Sequence, residues 1–376
     1  MSTDLFYILD RGLARKIGHH YTYCKSITNE LLRRGINFVV YGHNVTSGIT
    51  DIPNFVPAFE DYAYGPVDIS TVQDISIRFA TVVFNIINHS KQSNIFIPNA
   101  TFIEVSAVFF ILQSLPKIDT QFQIVLRTNA SQTLSDGTRI GELCLSQLGA
   151  LSNSSNVTLF ADSSDACIYW AENNIRVLQI PFPTDKIVDD SEKLEAVINN
   201  RIPPFFLSIG QGGKHKGLDK ILAALQQISS EGYPVHGAVH HTFFHIEDSV
   251  LKSLPNVEFI SQELGINDYN NLISRATHIF SFYDSAVYAI GTSSNILIET
   301  LVNRRIPIVS PFRHAFEMLG CDYNLYGSKD WSASSLVDLL RRSFNSPCDL
   351  DALERIWRRA ETVSGAKHVI DALLNN

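Results

Sequence analysis

Positive charge is in short supply in this chain. Thirty Lys and Arg stand against 38 Asp and Glu, for a formal net charge of -8. A general nucleic-acid binder shows a basic footprint, so the balance argues against that class of function, while leaving room for a local basic patch. Cysteine is also sparse: Cys24, Cys144, Cys167, Cys321 and Cys348 are odd in number, widely spaced and never in CxxC spacing. That pattern argues against a disulfide framework or a zinc site, and a reducing cytosol is the expected compartment. Long hydrophobic runs are missing as well. The longest, VSAVFFIL at 105–112, is far too short to span a bilayer. The opening residues MSTDLFYILDRG lack a basic segment followed by an apolar core, so no signal peptide is expected. Neither a solenoid-length repeat nor a low-complexity tract occurs.

What is present is a large apolar fraction, 45% of 376 residues, with only 18% charged. That suits two domains with sizeable cores. Short apolar runs alternate with amphipathic segments, which reads as βα units around parallel sheets. Strands are expected at 5–9, 36–42, 93–98, 123–128 and 157–162 in the first half. In the second half they are expected at 204–210, 235–240, 257–261, 278–282 and 307–311. Helices are expected at 21–35, with Cys24, Ile27, Leu31 and Leu32 on one face, around 101–115 and 137–150, and at 217–232, 267–276, 333–345 and 349–374. The stretch 43–75 is turn-rich and weakly periodic. Pro181, Pro183 and an acidic run mark a linker near 182–195. The fold class is therefore α/β, with two Rossmann-like doubly wound domains facing each other across a cleft. Ligands of such folds sit outside the carboxyl ends of the strands, and with two domains they sit between them.

Two stretches carry chemistry. GTSSNILIETLVNRRIPIVS (291–310) follows a strand and opens a helix near Ser294. Helix starts attract phosphate through unpaired N–H groups and a positive dipole end, and Ser293, Ser294 and Asn295 are short polar residues suited to capping or contact. Glu299, one turn further in, is placed to accept hydrogen bonds from a neutral diol such as ribose. A lone glutamate in a helix is usually solvated, but this helix is apolar nearly all round, and a buried glutamate is rare unless paired or functional. The second stretch, SIGQGGKHKGLDKIL (208–222), ends a strand at Gly210 and continues into a glycine-rich loop with Lys214 and Lys216 before a helix. Glycines let the backbone approach a ligand, and the lysines can neutralise a diphosphate. Alone, a glycine-rich loop is a mobile surface feature; paired with a helix start in the same domain it indicates an anion site.

On these residues the chain resembles the GT-B glycosyltransferases, and within them the large retaining family of bacterial enzymes that use nucleotide sugars. In that family a strand is followed by Gly-Arg and then by Lys-Gly opening a helix. Gly210 matches the glycine, Lys216-Gly217 match the Lys-Gly, and Gln211 stands in the place of the arginine. The resemblance implies that Lys216 holds the donor diphosphate, with Lys214 compensating for Gln211. The family also carries two glutamates eight positions apart. The second, which binds the nucleotide ribose, matches Glu299; the first, near the transferred sugar, falls on Gly291. The segments 256–282 and 16–42 resemble the family's lead into that motif and its first glycine loop, helix and strand, which implies that Gly18 lies beside the acceptor and the transferred sugar.

The implied activity is metal-independent, retaining transfer of a hexosyl group from a nucleoside-diphosphate sugar to a hydroxyl of a glycan or lipid-linked saccharide. The nucleotide sugar is a co-substrate and no other cofactor is expected; the one acidic pair near this pattern, Asp189-Asp190, lies in the linker. Residues 1–182 would bind the acceptor and 183–355 the donor, with 356–376 packing back toward the first domain. Catalytic roles fall on His20 and Lys216, and donor contacts on Gly18, Gly210, Gln211, Lys214, Lys216, Ser294, Asn295, Ile296 and Glu299. His19, His240 and His241 are further candidates, each more often a packing or surface residue. Arg11, Arg15 and Lys16 could add weak association with the inner face of a membrane. Gly291 and Gln211 also suit a catalytically silent homologue that binds nucleotide or glycan, or partners an active enzyme. An epimerase or a phosphorylase of the same fold shows no signature here.

Overall fold

The apolar runs form two all-parallel sheets, one in each of two compact units. The computed structural model describes residues 5–16, 18–45, 49, 51–61, 68–90, 93–127, 133–184, 186–187, 202–210, 213–242, 244–285 and 294–375. Unit 1 comprises Met1–Pro183 and Gly365–Asn376, and unit 2 comprises Thr184–Ser364.

Unit 1 is built on β1 (Leu5–Leu9), β2 (Phe38–His43), β3 (Phe55–Phe59), β4 (Ser93–Ala100), β5 (Thr120–Leu126), β6 (Val157–Ala161) and β7 (Leu178–Gln179). Their order across the sheet is β3-β2-β1-β4-β5-β6-β7. Both faces are covered, which is why these strands read as continuous apolar runs rather than alternating ones. Tyr7 and Leu9 of β1 point into the core under α2 (Ile69–His89), α3 (Phe102–Ser114), α4 (Ile140–Ser152) and α5 (Ser164–Glu172). Phe6 and Ile8 point the other way, onto α1 (Gly18–Arg33).

In unit 2, β8 (Phe205–Ser208), β9 (His236–His240), β10 (Val257–Ile260), β11 (His278–Ser281) and β12 (Ile306–Val309) pair in the order β10-β9-β8-β11-β12. One face is packed by α6 (Leu218–Ser230). The other carries α8 (Ile266–Arg275), which follows the short α7 (Asp248–Ser253). The remaining α-helices among the described residues are α9 (Asn295–Val302), α10 (Arg313–Leu319), α11 (Tyr323–Tyr326), α12 (Ala333–Asn345), α13 (Leu350–Thr362) and α14 (Ala366–Leu374).

Several expectations need revision. The helix expected over 349–374 is two helices, because Gly365, at φ +100, breaks the path between α13 and α14. α13 stays with unit 2, its Trp357 donating to the Arg305 carbonyl. The chain therefore returns to unit 1 at Gly365 and not at 356. There α14 buries Val369, Ile370 and Leu373 in the α1 side of the core, and Gln123 donates to the Leu373 carbonyl. The 43–75 stretch leads through β3 into α2, a 21-residue helix. Leu32 is 52% exposed, so it lies off the face that buries Cys24, Ile27 and Leu31.

Strand order reverses between β1 and β4 in unit 1 and between β8 and β11 in unit 2. Crossovers leave the sheet in opposite directions at such points, so each opens a crevice at the carboxyl ends of its two strands.

Candidate functional site

In unit 2 the switch point gathers the residues singled out in the sequence. Gly210, just past β8, has φ +97, and a Cβ built there would lie 3.4 Å from Lys216 Nζ and 3.9 Å from Ile296 Cδ1. Those are ordinary van der Waals distances, so it is the positive φ that calls for glycine here, and the lysine head and the Ile296 side chain lie close to this backbone. Lys216 ends a single 3₁₀ turn, Lys214–Lys216, and Gly217 follows at φ +63 before α6. A Cβ on Gly217 would lie 2.4 Å from the Phe282 carbonyl oxygen past β11, so the two loops touch at backbone distance. Burial lowers the Lys216 ammonium below the usual lysine range. Lys214 is exposed.

Ser294 is the N-cap of α9, as its sequence position suggests, yet it has little left to offer a ligand. Its hydroxyl accepts from the Leu297 N–H at 3.1 Å and donates to Tyr283 Oη at 3.2 Å. Its own N–H donates to His314 Nδ1 at 2.9 Å. The residue is 2% exposed. The first-turn N–H groups of Asn295 and Ile296 are those that helix geometry leaves without intrahelical partners. Glu299 lies three residues beyond Ile296, on the same side of α9. Its carboxylate accepts from the Tyr269 hydroxyl of α8. Burial pushes the Glu299 carboxyl up to about 7 against the opposing pull of that bond, and pushes the Tyr269 phenol well above its ordinary value.

In unit 1 the switch point holds a buried polar cluster. Asp10, at the end of β1, is 3% exposed. Its carboxylate meets His20 Nδ1 at 2.7 and 2.9 Å and accepts from Asn99 at 2.8 Å and from the Gly12 N–H at 2.9 Å. Burial works to raise the Asp10 carboxyl, but His20 and Asn99 outweigh it and hold it below the ordinary value. A Cβ on Gly12 would lie 2.1 Å from His20 Cε1, so only glycine lets the imidazole reach this position. Gly18, at φ +73, begins α1 and is exposed. In the basic loop Arg11 is 3% exposed and bonds Glu104 at 2.5 Å, whereas Arg15 is exposed and Lys16, half-exposed, pairs with Asp51 at 3.0 Å.

The structure thus brings Gly210, Lys216 and Ile296 together, with Glu299 on the same helix. Gln211, Ser293 and Gly291 lie outside the described residues. Sequence reading missed Asp10, Asn99, Tyr269 and His314. Asp10 and Asn99 carried one usable signal, since each ends a strand beside a reversal of strand order. Tyr269 and His314 carried none. Among the described residues no group of three or more His, Cys, Asp or Glu side chains is placed to hold a metal ion, and no helix is long and apolar enough to cross a membrane.

No family model matches the chain, and no curated protein matches it. Solved structures do. Sucrose-phosphate synthase from Thermosynechococcus elongatus aligns at a TM-score of 0.71 with 13% identity, over 97% of this chain and 96% of that one. A glycosyltransferase from Rickettsia africae aligns at 0.69 with 10% identity, over 100% and 98%. HepE from Anabaena, solved in complex with UDP-glucose, aligns at 0.64 with 11% identity, over 99% and 98%. At such identities the likeness establishes the fold: this chain has the GT-B architecture of two Rossmann-like units.

Proposed function

We propose that the protein transfers a hexosyl group from a nucleoside-diphosphate sugar to a hydroxyl of a glycan or lipid-linked acceptor, with retention and without a metal ion. The observation that carries this reading is the closure of Lys216 Nζ and the α9 start on Gly210 at the unit 2 switch point. A half-buried ammonium beside main-chain N–H groups is a site for a diphosphate. As the sugar leaves, negative charge grows on the β-phosphate, and a preorganised cation there stabilises it. Lys216 takes that role, aided by Asn295 and Ile296. Glu299, in its ionised form, accepts from the ribose diol. His20, oriented by Asp10, is the unit 1 residue assigned to the acceptor side, with Gly18 beside it. No cofactor beyond the nucleotide sugar enters the scheme, and the cytoplasm supplies such donors.

The test is calorimetric titration with UDP, GDP and ADP, followed by slow hydrolysis of the matching nucleotide sugars, in wild type, Lys216→Met and Glu299→Ala. Saturable binding of one nucleotide, weakened in both variants, with release of its sugar, supports the transferase. Tight binding without turnover, even with acceptor saccharides present, favours a silent nucleotide-binding homologue. Absence of binding by every nucleotide sinks the donor site.

A further inference from the structure

His240 ends β9, the strand next to β8, and is 6% exposed. Its Nε2 lies 3.0 Å from the Gln262 carbonyl oxygen and 2.8 Å from the Thr242 hydroxyl. A carbonyl oxygen only accepts, so in the neutral ring Nε2 carries the proton and Nδ1 the lone pair. Nδ1 is buried and closes no well-formed hydrogen bond, although the Gly210 carbonyl acts on the ring. The ring lies against the Gly210 main chain and within the field of Lys216. A buried imidazole nitrogen left without a well-formed bond asks for an explanation. The strand, the glycine and the lysine beside it all belong to the crevice where the diphosphate is placed.

We propose that His240 is a donor-phosphate contact that takes up a proton at Nδ1 as the nucleotide sugar binds. The proposal rests on the reading of the β8–β11 crevice as the donor site. In the empty protein, burial first, and then the His241 and Lys216 charges, outweigh the Gln262 and Gly210 carbonyls and keep the ring neutral. Lys216 faces it from the turn after β8, and His241 from the end of its own strand. A bound diphosphate brings negative charge to the same place and reverses that balance. The proton comes from solvent, Nδ1–H then donates to a phosphate oxygen, and no bond in the ligand is broken. The sign follows from linkage. The ring is neutral in the empty protein and more basic in the complex, so donor affinity rises as pH falls through the bound-state value. It levels off below the value of the empty protein.

The experiment titrates UDP-glucose, ADP-glucose and GDP-mannose into wild type and His240→Gln near pH 6.5, in buffers of low and high ionisation enthalpy. Sugar nucleotides have no phosphate group titrating in this range, so proton uptake reports the protein. Wild type is expected to take up a fraction of a proton with the donor that binds. His240→Gln, which keeps a partner for the Gln262 carbonyl, is expected to lose that uptake. Its affinity falls roughly tenfold at pH 6 and little at pH 8.5. Protons taken up elsewhere in the site appear in both proteins, so the difference reports the loss of His240. The His240 Cε1–H resonance of wild type, assigned through its contacts with neighbouring protons, gives a second readout that needs no variant: it moves to the imidazolium position on donor binding. Equal uptake in both proteins, or a resonance that stays at the neutral position, overturns the proposal while leaving the donor site standing. Failure of every donor to bind wild type overturns both.

Discussion

Replacing Glu299 with Gln is expected to stabilise the protein and to weaken nucleotide binding. The carboxyl is raised from 4.5 to about 7, first by burial, with the Tyr269 hydroxyl pulling the other way. An acid that holds its proton more tightly when folded favours the folded state only while protonated. Below pH 4.5 both states carry the proton and Glu299 costs nothing. Between 4.5 and 7 the unfolded state releases it first, and stability drains away at about 1.4 kcal/mol per pH unit. Above pH 7 the loss levels off at about 3 kcal/mol. Gln still offers Tyr269 an acceptor and has no charge to bury. Glu299→Gln should therefore match wild type near pH 4.5 and gain up to about 3 kcal/mol at pH 8, roughly 6–12 °C in Tm for a unit of this size. Urea unfolding at several pH values, followed by tryptophan fluorescence, reads this out. Trp331 and Trp357 report unit 2 and Trp170 reports unit 1, so two transitions can be separated. A variant destabilised by the same amount at every pH would refute the reasoning, because it would mean that the Glu299 carboxyl titrates alike in the folded and unfolded states.

Lys216→Met is expected to cut affinity for a nucleoside diphosphate by roughly a hundredfold, through loss of one charge-assisted contact, while leaving thermal stability unchanged or higher; calorimetry and a melting curve check both. Gly12→Ala places a Cβ 2.1 Å from His20 Cε1, so the imidazole must leave Asp10. A buried carboxylate then loses a partner, at a cost of about 3 kcal/mol in urea unfolding of unit 1; unchanged stability would show that the loop yields instead. Deleting residues 365–376 strips Val369, Ile370 and Leu373 from the α1 side of the core. At roughly 1.5–3 kcal/mol for each side chain, unit 1 loses most of its stability. The unit 2 transition should survive, which the Trp331 and Trp357 signal would report.

The strands were legible because parallel strands are buried on both faces and so carry unbroken apolar runs; β1, β8 and β11 fall where the composition places them. α2 was not, for a reason of local chemistry. Its ISTVQDISIRFATVVFNIINH is rich in β-branched residues, which restrict side-chain rotamers in a helix and lower its propensity. The helix is held by burying Val72, Ile75, Phe79, Val83 and Ile86 on the sheet, a spacing of three and four that the β-branched composition obscured. Glu299 was expected to be buried from its apolar neighbours, and the fold leaves it half-buried on α9. Its partner Tyr269 was not legible, because the pairing depends on how α8 and α9 meet.

The same distinction narrows the candidate site. Read as a string, Ser294-Asn295-Ile296 offers a hydroxyl and three N–H groups to a phosphate. In the fold the Ser294 hydroxyl serves Leu297 and Tyr283, and its N–H serves His314. Capping and ligand binding compete for the same donors, so the residue best suited to start the helix is the least able to bind. What remains for an anion is the pair of N–H groups that follow, and Lys216. That is a small set of donors near Gly210, with the Gly217–Phe282 contact holding their two loops at backbone distance. A set of that kind is preorganised for one anion geometry and reorganises little as charge develops on a leaving group, which is the condition for electrostatic catalysis by so few groups.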